Sequence, residues 1–202
     1  DSEGLPYPVF ALAALVPWTY FANALTQTSN SLVDQQQLLT KVYFPRLLLP
    51  LAAVLAGLVD FVIAFVLLLL LLTFYDVAPS LRLLAAPAFG LLAMVAALAP
   101  GVWLAALNVR YRDVRYAIPF LVQIWLFVTP VAYSSGLVPD RWRLLYGLNP
   151  MAGVVDGFRW MVASDAPAPG AGMVVSVLAV AVLLTAGLYF FRRVERSFAD
   201  VI

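Results

Sequence analysis

The sequence predicts an all-α integral membrane protein that forms one membrane domain over residues 1–202. Of its 202 residues, 64% are hydrophobic and 11% are charged. So few polar side chains could not cover the surface of a soluble domain. Five apolar runs are long enough to cross a bilayer core about 30 Å thick, which needs roughly 20 residues of helix. Backbone groups in lipid must bond within their own segment, so these runs are predicted to be helices.

Short polar segments separate the five predicted spans. The spans cover residues 8–29, 47–74, 83–107, 117–134 and 172–191. Four prolines interrupt them, namely Pro17, Pro100, Pro119 and Pro130. Because proline removes a backbone donor and crowds the preceding turn, these helices are expected to bend, as kinked helices do in moving passages and in static bundles alike.

Basic residues collect at one end of the spans and predict the orientation of the chain. That end carries Lys41, Arg46, Arg110, Arg112, Arg115, Arg192, Arg193 and Arg196. Loops rich in lysine and arginine stay in the cytoplasm, so the C-terminus is predicted inside and Asp1 outside. Five spans with their ends on opposite sides lead us to expect one more span before Asp1.

The residue inventory excludes several classes of function. The chain has no cysteine and no histidine, which removes disulfides, thiol nucleophiles and the usual metal-ligand sets. We therefore predict no catalytic residue, no metal and no cofactor in this chain. It also lacks the G-x-x-x-x-G-K-[ST] phosphate loop, so it is not expected to hydrolyse ATP. A net charge of +1 gives no general attraction to nucleic acid.

The segment from 135 to 171 differs from the spans because it mixes turn signals with two short amphipathic runs, about 139–148 and 151–163. Neither run is long enough to cross a bilayer. We predict two short re-entrant helices within 137–165 on the outer side. Four aromatic residues, Trp142, Tyr146, Phe158 and Trp160, would lie at headgroup depth. An external hairpin lying on the surface is the alternative.

Polar side chains form a stripe along the first span. The stripe contains Thr19, Tyr20, Asn23, Thr26, Gln27 and Asn30, which fall on one side of a helix at 100° per residue. Such a stripe should not face lipid. It either bonds to a neighbouring helix or lines a polar passage.

The fourth span offers an opposite wall in Phe120, Gln123 and Phe127, at positions i, i+3 and i+7, although this spacing is also common in ordinary packing. Aromatic faces stack on sugar rings, and amides exchange hydrogen bonds with sugar hydroxyls. An ion path would instead use charged rings or carbonyl sites. The mixture favours a carbohydrate passage.

Asp60 lies deep in the second span, within "GLVDFVIAF". A carboxyl group inside a membrane is a functional candidate because it is costly to place there. The structural alternative is a protonated or hydrogen-bonded acid that ties two helices together.

The segment 108–116, "NVRYRDVRY", brings together Arg110, Tyr111, Arg112, Asp113 and Arg115 on the predicted cytoplasmic side. It is expected to form about two helical turns. Taken alone, it has the composition of a solvated basic loop of the positive-inside kind.

Longer motifs run through the chain in a fixed order. They are "PWTYFANALTQTSNSLV", "LLTKVYFPRLLLP", "LVDFVIAF", "LNVRYRDVRYAIPFLVQIWLFVTPVAY", "LNPM" and "ERSFADVI". On these motifs the chain resembles the permease subunits of ABC-2-type exporters of polysaccharides and polyol phosphates, the type V exporters that move O-antigen, capsule and teichoic acid chains.

The resemblance implies a homodimer of six-helix permeases in the cytoplasmic (inner) membrane. Two cytoplasmic subunits would bind ATP and Mg²⁺, and segment 108–116 would act as a coupling helix that touches them. The two outer helices, with Asn149 of "LNPM" between them, would form an external gate. By this resemblance we expect the sequence to hold five of the six family spans, and the sixth span with an amphipathic helix of the family to precede Asp1.

The predicted function is export of a lipid-linked polysaccharide or polyol-phosphate polymer. A related exporter of a small drug or a lipid would share the architecture. A membrane-bound transferase is disfavoured by the lack of histidine, of a D-x-D pair and of clustered carboxylates. A proton-coupled transporter would need relay partners for Asp60, which the other spans do not offer.

Overall fold

The computed structural model describes residues 4–41, 44–163 and 168–195, and the regular elements in those ranges are all helical. The α-helices are α1 (Tyr7–Asp34), α2 (Gln36–Lys41), α3 (Leu48–Ala56), α4 (Leu58–Phe74), α5 (Ala86–Arg110), α6 (Val114–Val128), α7 (Asp140–Tyr146), α8 (Pro150–Val162) and α9 (Ala171–Glu195). Two 3₁₀ turns, Leu81–Ala85 and Ser135–Leu137, precede α5 and α7. The all-α class is confirmed.

Four stretches of the described chain are long and apolar enough to span a bilayer: α1, α3 with α4, Leu81–Arg110, and α9. The remaining predicted span is the shorter apolar helix α6, whose 15 residues extend about 22 Å. It ends before Thr129, which is extended at φ −93° and ψ 142°. Pro130 disfavours a helical conformation in the residue before it. The predicted end at 134 is therefore wrong, and Pro130 follows the helix instead of interrupting it.

The second predicted span is broken at Gly57, between α3 and α4. Tyr20 of α1 packs directly on this position, and a Cβ atom on Gly57 would lie 3.2 Å from Cε2 of Tyr20. The Tyr20 hydroxyl donates to the Val54 carbonyl at 3.0 Å. Because the Tyr20 ring lies so close to the backbone here, glycine, which has no Cβ atom, fits position 57 best.

The helix predicted over residues 108–116 does not form as a separate element. Helix α5 continues to Arg110 and α6 begins at Val114, which leaves a turn of three residues, Tyr111–Asp113. Asn108 is buried and its Nδ2 donates to the Ser29 carbonyl at 3.1 Å and to Asn30 Oδ1 at 3.0 Å. These bonds hold the end of α5 on α1, so the helix persists beyond the predicted end at 107.

Helices α1 and α5 form the centre of the bundle, and small residues let the central helices approach one another. A Cβ atom on Gly101 of α5 would lie 2.7 Å from Cγ2 of Thr28. Likewise, a Cβ atom on Gly187 of α9 would lie 2.8 Å from the Ala99 carbonyl of α5. Close backbone approach through small residues is the usual way in which membrane helices associate.

The predicted cytoplasmic ends of the helices meet at one end of the bundle. Arg46, just before α3, donates to the Glu195 carbonyl at the end of α9 over 2.7 Å. Arg115 of α6 lies 3.5 Å from Asp34 of α1. These contacts agree with a common side for the basic residues, which the charge pattern predicted.

Candidate functional site

The polar stripe of α1 divides into an exposed part and a packed part. Thr19, Asn23 and Gln27 are exposed, one helical turn apart. Tyr20, in contrast, is 4% exposed and bonds to α3. The prediction that Tyr20 lines a passage is therefore wrong, because its ring and hydroxyl are used to hold α1 against α3 and α4.

Thr26 and Asn30 are half-buried and serve the helix pair α1–α5. The Thr26 hydroxyl donates to the Ala22 carbonyl at 2.8 Å, within its own helix. Asn30 donates to the Thr26 carbonyl at 3.0 Å and accepts from Asn108. Asn30 therefore bonds to a neighbouring helix, as one interpretation of the stripe expects. Thr19, Asn23 and Gln27 face out of the bundle, and the passage that they would line stays a prediction.

The α6 residues predicted to line the passage share one exposed side. Phe120 is 65% exposed and Phe127 is 72% exposed, and Gln123 is also exposed. Ile118 is fully buried, and the three lining residues lie roughly 140–200° from it around the helix. The side of α6 that points away from the protomer is therefore aromatic and amide-bearing.

Helix α6 lies beside the second half of α1, between Phe21 and Asp34. The rings of Phe21 and Trp125 meet edge to face with centroids 5.1 Å apart. Nearer the predicted cytoplasmic end, Arg115 pairs with Asp34. The two sets of exposed side chains therefore belong to adjacent helices of one bundle.

Asp60 is exposed on α4. It forms no hydrogen bond or ion pair with any other residue that the structure describes. The interpretation of Asp60 as an acid that ties two helices of the protomer together is therefore not supported.

Asn149 makes four hydrogen bonds, of which one caps α8 and three join the start of α8 to α6. Its Oδ1 caps α8 by accepting from the Met151 N–H at 3.0 Å, and it accepts from Trp125 Nε1 at 2.9 Å. Its Nδ2 donates to Thr129 Oγ1 at 3.0 Å and to the Val128 carbonyl at 3.3 Å. Because every polar atom of the side chain is used, the start of α8 is fixed to the outer end of α6.

Asn149 also lines an open groove of about 530 Å³ between α6, α7 and α9. The other lining residues are Trp125, Val128, Trp142, Leu145, Tyr146, Leu148, Pro150 and Leu183. Three residues predicted for the gate, Trp142, Tyr146 and Asn149, therefore come together here. The Tyr146 hydroxyl lies 2.7 Å from that of Tyr133, and burial together with this bond raises the pKa of Tyr146, so the ring stays neutral.

Two of the predicted gate aromatics lie elsewhere. Phe158 is fully buried, with its ring 6.0 Å from Phe61 and 6.2 Å from Phe65, so it is a core residue and does not face the headgroups. Trp160 is half-buried and packs between the ring of Phe89, at 6.4 Å, and the guanidinium of Arg82, at 5.1 Å. The amphipathic pattern of α8 did not reveal that this helix is buried within the bundle.

Arg159 of α8 belongs to none of the predicted sites, yet it is buried at the junction of several elements. It is 2% exposed and donates to the carbonyls of Tyr133 at 2.9 Å and Val131 at 3.0 Å. Its guanidinium lies 3.7 Å from the centroid of the Phe10 ring. Arg159 thus fastens the α6–α7 connection to α8 and α1. The sequence signal that could have revealed this role is an arginine next to the apolar face of a helix.

Ser176 of α9 is a second missed residue. It is fully buried, and its Oγ donates to the Gly147 carbonyl at 2.9 Å and accepts from the Gly153 N–H at 3.2 Å. Nothing in the sequence distinguishes it from other serines in apolar runs.

At the opposite end, the residues predicted for coupling are all exposed: Arg110, Tyr111, Arg112, Asp113 and Arg115. The Arg110 guanidinium lies 5.6 Å from the Tyr111 ring. At the same end of the bundle, where Asp34 pairs with Arg115, the short helix α2 follows α1 directly; the sequence did not predict this helix. The end of the bundle therefore presents two short polar elements, and none of their side chains forms a metal cluster within the described ranges.

Comparison with known proteins identifies the family. Residues 4–162 match the family described as ABC-2 type transporter. The chain is 31% identical over 199 residues to the O-antigen export system permease protein RfbA of Myxococcus xanthus, covering 97% of this chain and 76% of that protein. It is 23% identical to the protein of the same name from Klebsiella pneumoniae, with the same coverage. The chain thus belongs to the ABC-2 type transporters, a family of multi-pass membrane permeases that work with an ATP-binding partner.

Proposed function

We propose that this chain is the permease subunit of an ATP-driven exporter that moves a lipid-linked polysaccharide of the O-antigen type outward across the cytoplasmic membrane. The observation that carries the proposal is the exposed stripe of Thr19, Asn23 and Gln27 on a membrane-spanning helix. The names of the relatives, which are O-antigen export permeases, support the same substrate class.

The exposed stripe needs a polar neighbour because amides and hydroxyls in hydrocarbon lose their hydrogen bonds to water. Elsewhere α4 and α9 expose apolar residues such as Val62, Leu70 and Val182, which suit lipid. A passage filled with water and polymer would supply hydrogen bonds to the side chains of the exposed stripe. Phe120 and Phe127 on α6 would add stacking surfaces for sugar rings, which hold a chain loosely without fixing any one unit.

A second copy of the chain would complete the passage. One protomer leaves the outer sides of α1 and α6 uncovered, and these two helices alone cannot enclose a polymer. Most oligomers are closed homo-oligomers, with two-fold dimers the commonest. A homodimer that brings two such surfaces together would form a passage lined with neutral polar and aromatic groups.

Energy would enter at the cytoplasmic end. The turn Tyr111–Asp113 and helix α2 are the short elements available there to two copies of an ATP-binding subunit, which would hold ATP and Mg²⁺. A push on the turn moves the start of α6, and Asn149 joins the far end of α6 to α8. In this scheme α6 transmits motion to α7 and α8, which act as the outer gate.

Replacement of Asn23 and Gln27 by leucine tests the passage. Thr185→Leu on the exposed side of α9 is the matched polar-to-leucine control. Export would be measured as polymer that enters inside-out vesicles containing the permease and its ATPase. We expect the double variant to slow export at least about tenfold and the control to leave it unchanged. Equal rates in both variants would show that the stripe only packs against another helix.

Alanine at both Arg112 and Asp113 tests the coupling turn. Arg141→Ala with Asp76→Ala, on the opposite side of the membrane, removes the same two charges. We expect the first pair to abolish polymer-dependent ATP hydrolysis while the permease remains folded, and the control pair to keep it. Normal export by the Arg112 and Asp113 variant would refute the coupling role.

A further inference from the structure

We infer that Asp60 faces the polymer passage and gives it a charge preference: the passage favours neutral or amino-bearing glycans over polyanionic polymers such as polyol phosphates. This inference rests on the proposed function, since it requires that the exposed side of α1 lines the passage. It extends that proposal by naming a residue that discriminates between substrate classes.

Asp60 lies near the middle of the membrane. It follows Leu48, the first residue of its span, by about 18 Å and precedes Phe74, the last, by about 21 Å, at 1.5 Å per residue. Among the described residues, no other acidic side chain lies in the middle of a span. An exposed carboxylate at this depth cannot remain against lipid without a large cost, so it requires a polar environment.

Helix geometry directs Asp60 to the same side as the polar stripe. The rings of Tyr20 and Phe61 are 5.2 Å apart, so these residues mark the sides on which α1 and α4 face each other. Asn23 is turned about 60° from Tyr20, and Asp60 about 100° from Phe61. Because the two helices are antiparallel, these rotations have opposite senses and bring both side chains to one side of the pair.

The depth of Asp60 agrees with this placement. The Tyr20 ring contacts both Gly57 and Phe61: a Cβ atom on Gly57 would lie 3.2 Å from the ring, and the Phe61 ring lies 5.2 Å away. Asp60 is therefore level with the turn of α1 that runs from Thr19 to Asn23. Three exposed polar side chains, Thr19, Asn23 and Asp60, thus share one level and one side of the bundle.

The chemistry of this group separates substrates by charge. Amides and hydroxyls accept and donate hydrogen bonds without regard to charge, and a carboxylate accepts bonds from sugar hydroxyls and attracts ammonium groups. Phosphate or uronate groups that pass the same point are repelled, and more strongly than in bulk water because the surroundings have a low dielectric constant. Such a repulsive element selects against a competing class of substrate.

The absence of cysteine from the chain allows a direct measurement of the charge. Asn23→Cys would be labelled in the reconstituted permease with two methanethiosulfonate reagents, one trimethylammonium and one sulfonate. We expect the cationic reagent to react faster, and Asp60→Asn to lower the ratio of the two rates on the order of tenfold, which corresponds to about 1.4 kcal/mol. Asp76→Asn, on the turn after α4, removes the same charge and should leave the ratio unchanged.

The results separate this inference from the proposed function. An unchanged ratio in Asp60→Asn, with the introduced thiol still reactive, overturns the inference and leaves the passage intact. A thiol at this position that neither reagent reaches in water overturns both. If Asp60→Asn does not assemble, Asp60→Glu, which keeps the charge, should keep the ratio; equal rates for the two reagents while an acidic residue is at position 60 overturn the inference. In export assays, the inference is supported if Asp60→Asn raises the export rate of a phosphate-bearing polymer relative to that of a neutral glycan.

Discussion

Replacement of Asn149 by alanine should weaken the link between the outer helices and α6. The loss of stability should exceed that from removing any other single hydrogen-bonding side chain on the surface. The substitution removes the cap of α8 and three bonds to α6. It leaves the Trp125 N–H and the Thr129 hydroxyl without their amide partner. Because α6 is proposed to carry motion to the outer gate, stability and export should fall together.

The expected loss follows from the number of bonds. An N-cap contributes about 1 kcal/mol. Interhelical hydrogen bonds in membrane proteins average about 0.6 kcal/mol each, so three of them contribute about 2 kcal/mol. Asn149→Ala should therefore lower the free energy of unfolding by about 3 kcal/mol. Asn149→Ser keeps an oxygen for the Met151 N–H but is too short for α6, so it should recover only the cap, about 1 kcal/mol.

Unfolding of the detergent-solubilised permease by denaturant, followed by tryptophan fluorescence, would measure these differences. Ser80→Ala is the matched control, because Ser80 caps the turn before α5 through one bond to the Arg82 N–H. It should cost about 1 kcal/mol. The reasoning is refuted if Asn149→Ala costs no more than Ser80→Ala, or if Asn149→Ser restores full stability, since the bonds to α6 would then contribute nothing.

Two further predictions concern packing and hydrogen bonding. Gly101→Ala should destabilise the bundle by about 1–3 kcal/mol, because the new Cβ atom would lie 2.7 Å from Cγ2 of Thr28. Thr28→Ser removes that methyl group but keeps the Thr28 Cβ atom, which would lie 2.9 Å from the new Cβ, so the double variant should recover only part of the loss, as measured by thermal unfolding; strictly independent effects would contradict the contact. Tyr133→Phe and Tyr146→Phe should each cost about 1 kcal/mol, and the double variant should cost little more, since the main bond of both hydroxyls is the one they share at 2.7 Å and the Tyr133 hydroxyl reaches the Phe127 and Val128 carbonyls only at 3.4 and 3.5 Å. Additive losses would show that the hydroxyls bond elsewhere.

The sequence predicted the helices well where length and hydropathy suffice. The spans that begin near residues 8, 47, 83 and 172, the two short outer helices and the common side of the basic residues agree with the structure. These features follow from the thickness of the bilayer and from charge. Asn23, Gln27, Phe120 and Phe127 are exposed, and their place in a passage stays a prediction.

Errors arose where neighbouring helices decide the outcome. Tyr20 and Phe158 were placed by helical periodicity or amphipathic character, but their environments depend on Val54 and Phe61, which are distant in sequence. The separate helix at 108–116 was expected from its charges, whereas the buried Asn108 extends α5 into that segment. No single-helix pattern contains such information, because a polar group in one helix is satisfied by an atom of another.

Photo-crosslinking during ATP-driven export tests the central claim most directly. A photoreactive amino acid would replace Gln27 of α1, Phe120 of α6, or Val182, which is 65% exposed on α9. The account predicts that the first two positions capture polymer only while ATP is hydrolysed, and that Val182 captures lipid. Capture of lipid alone at Gln27 and Phe120, or equal capture of polymer at Val182, would contradict a passage lined by α1 and α6.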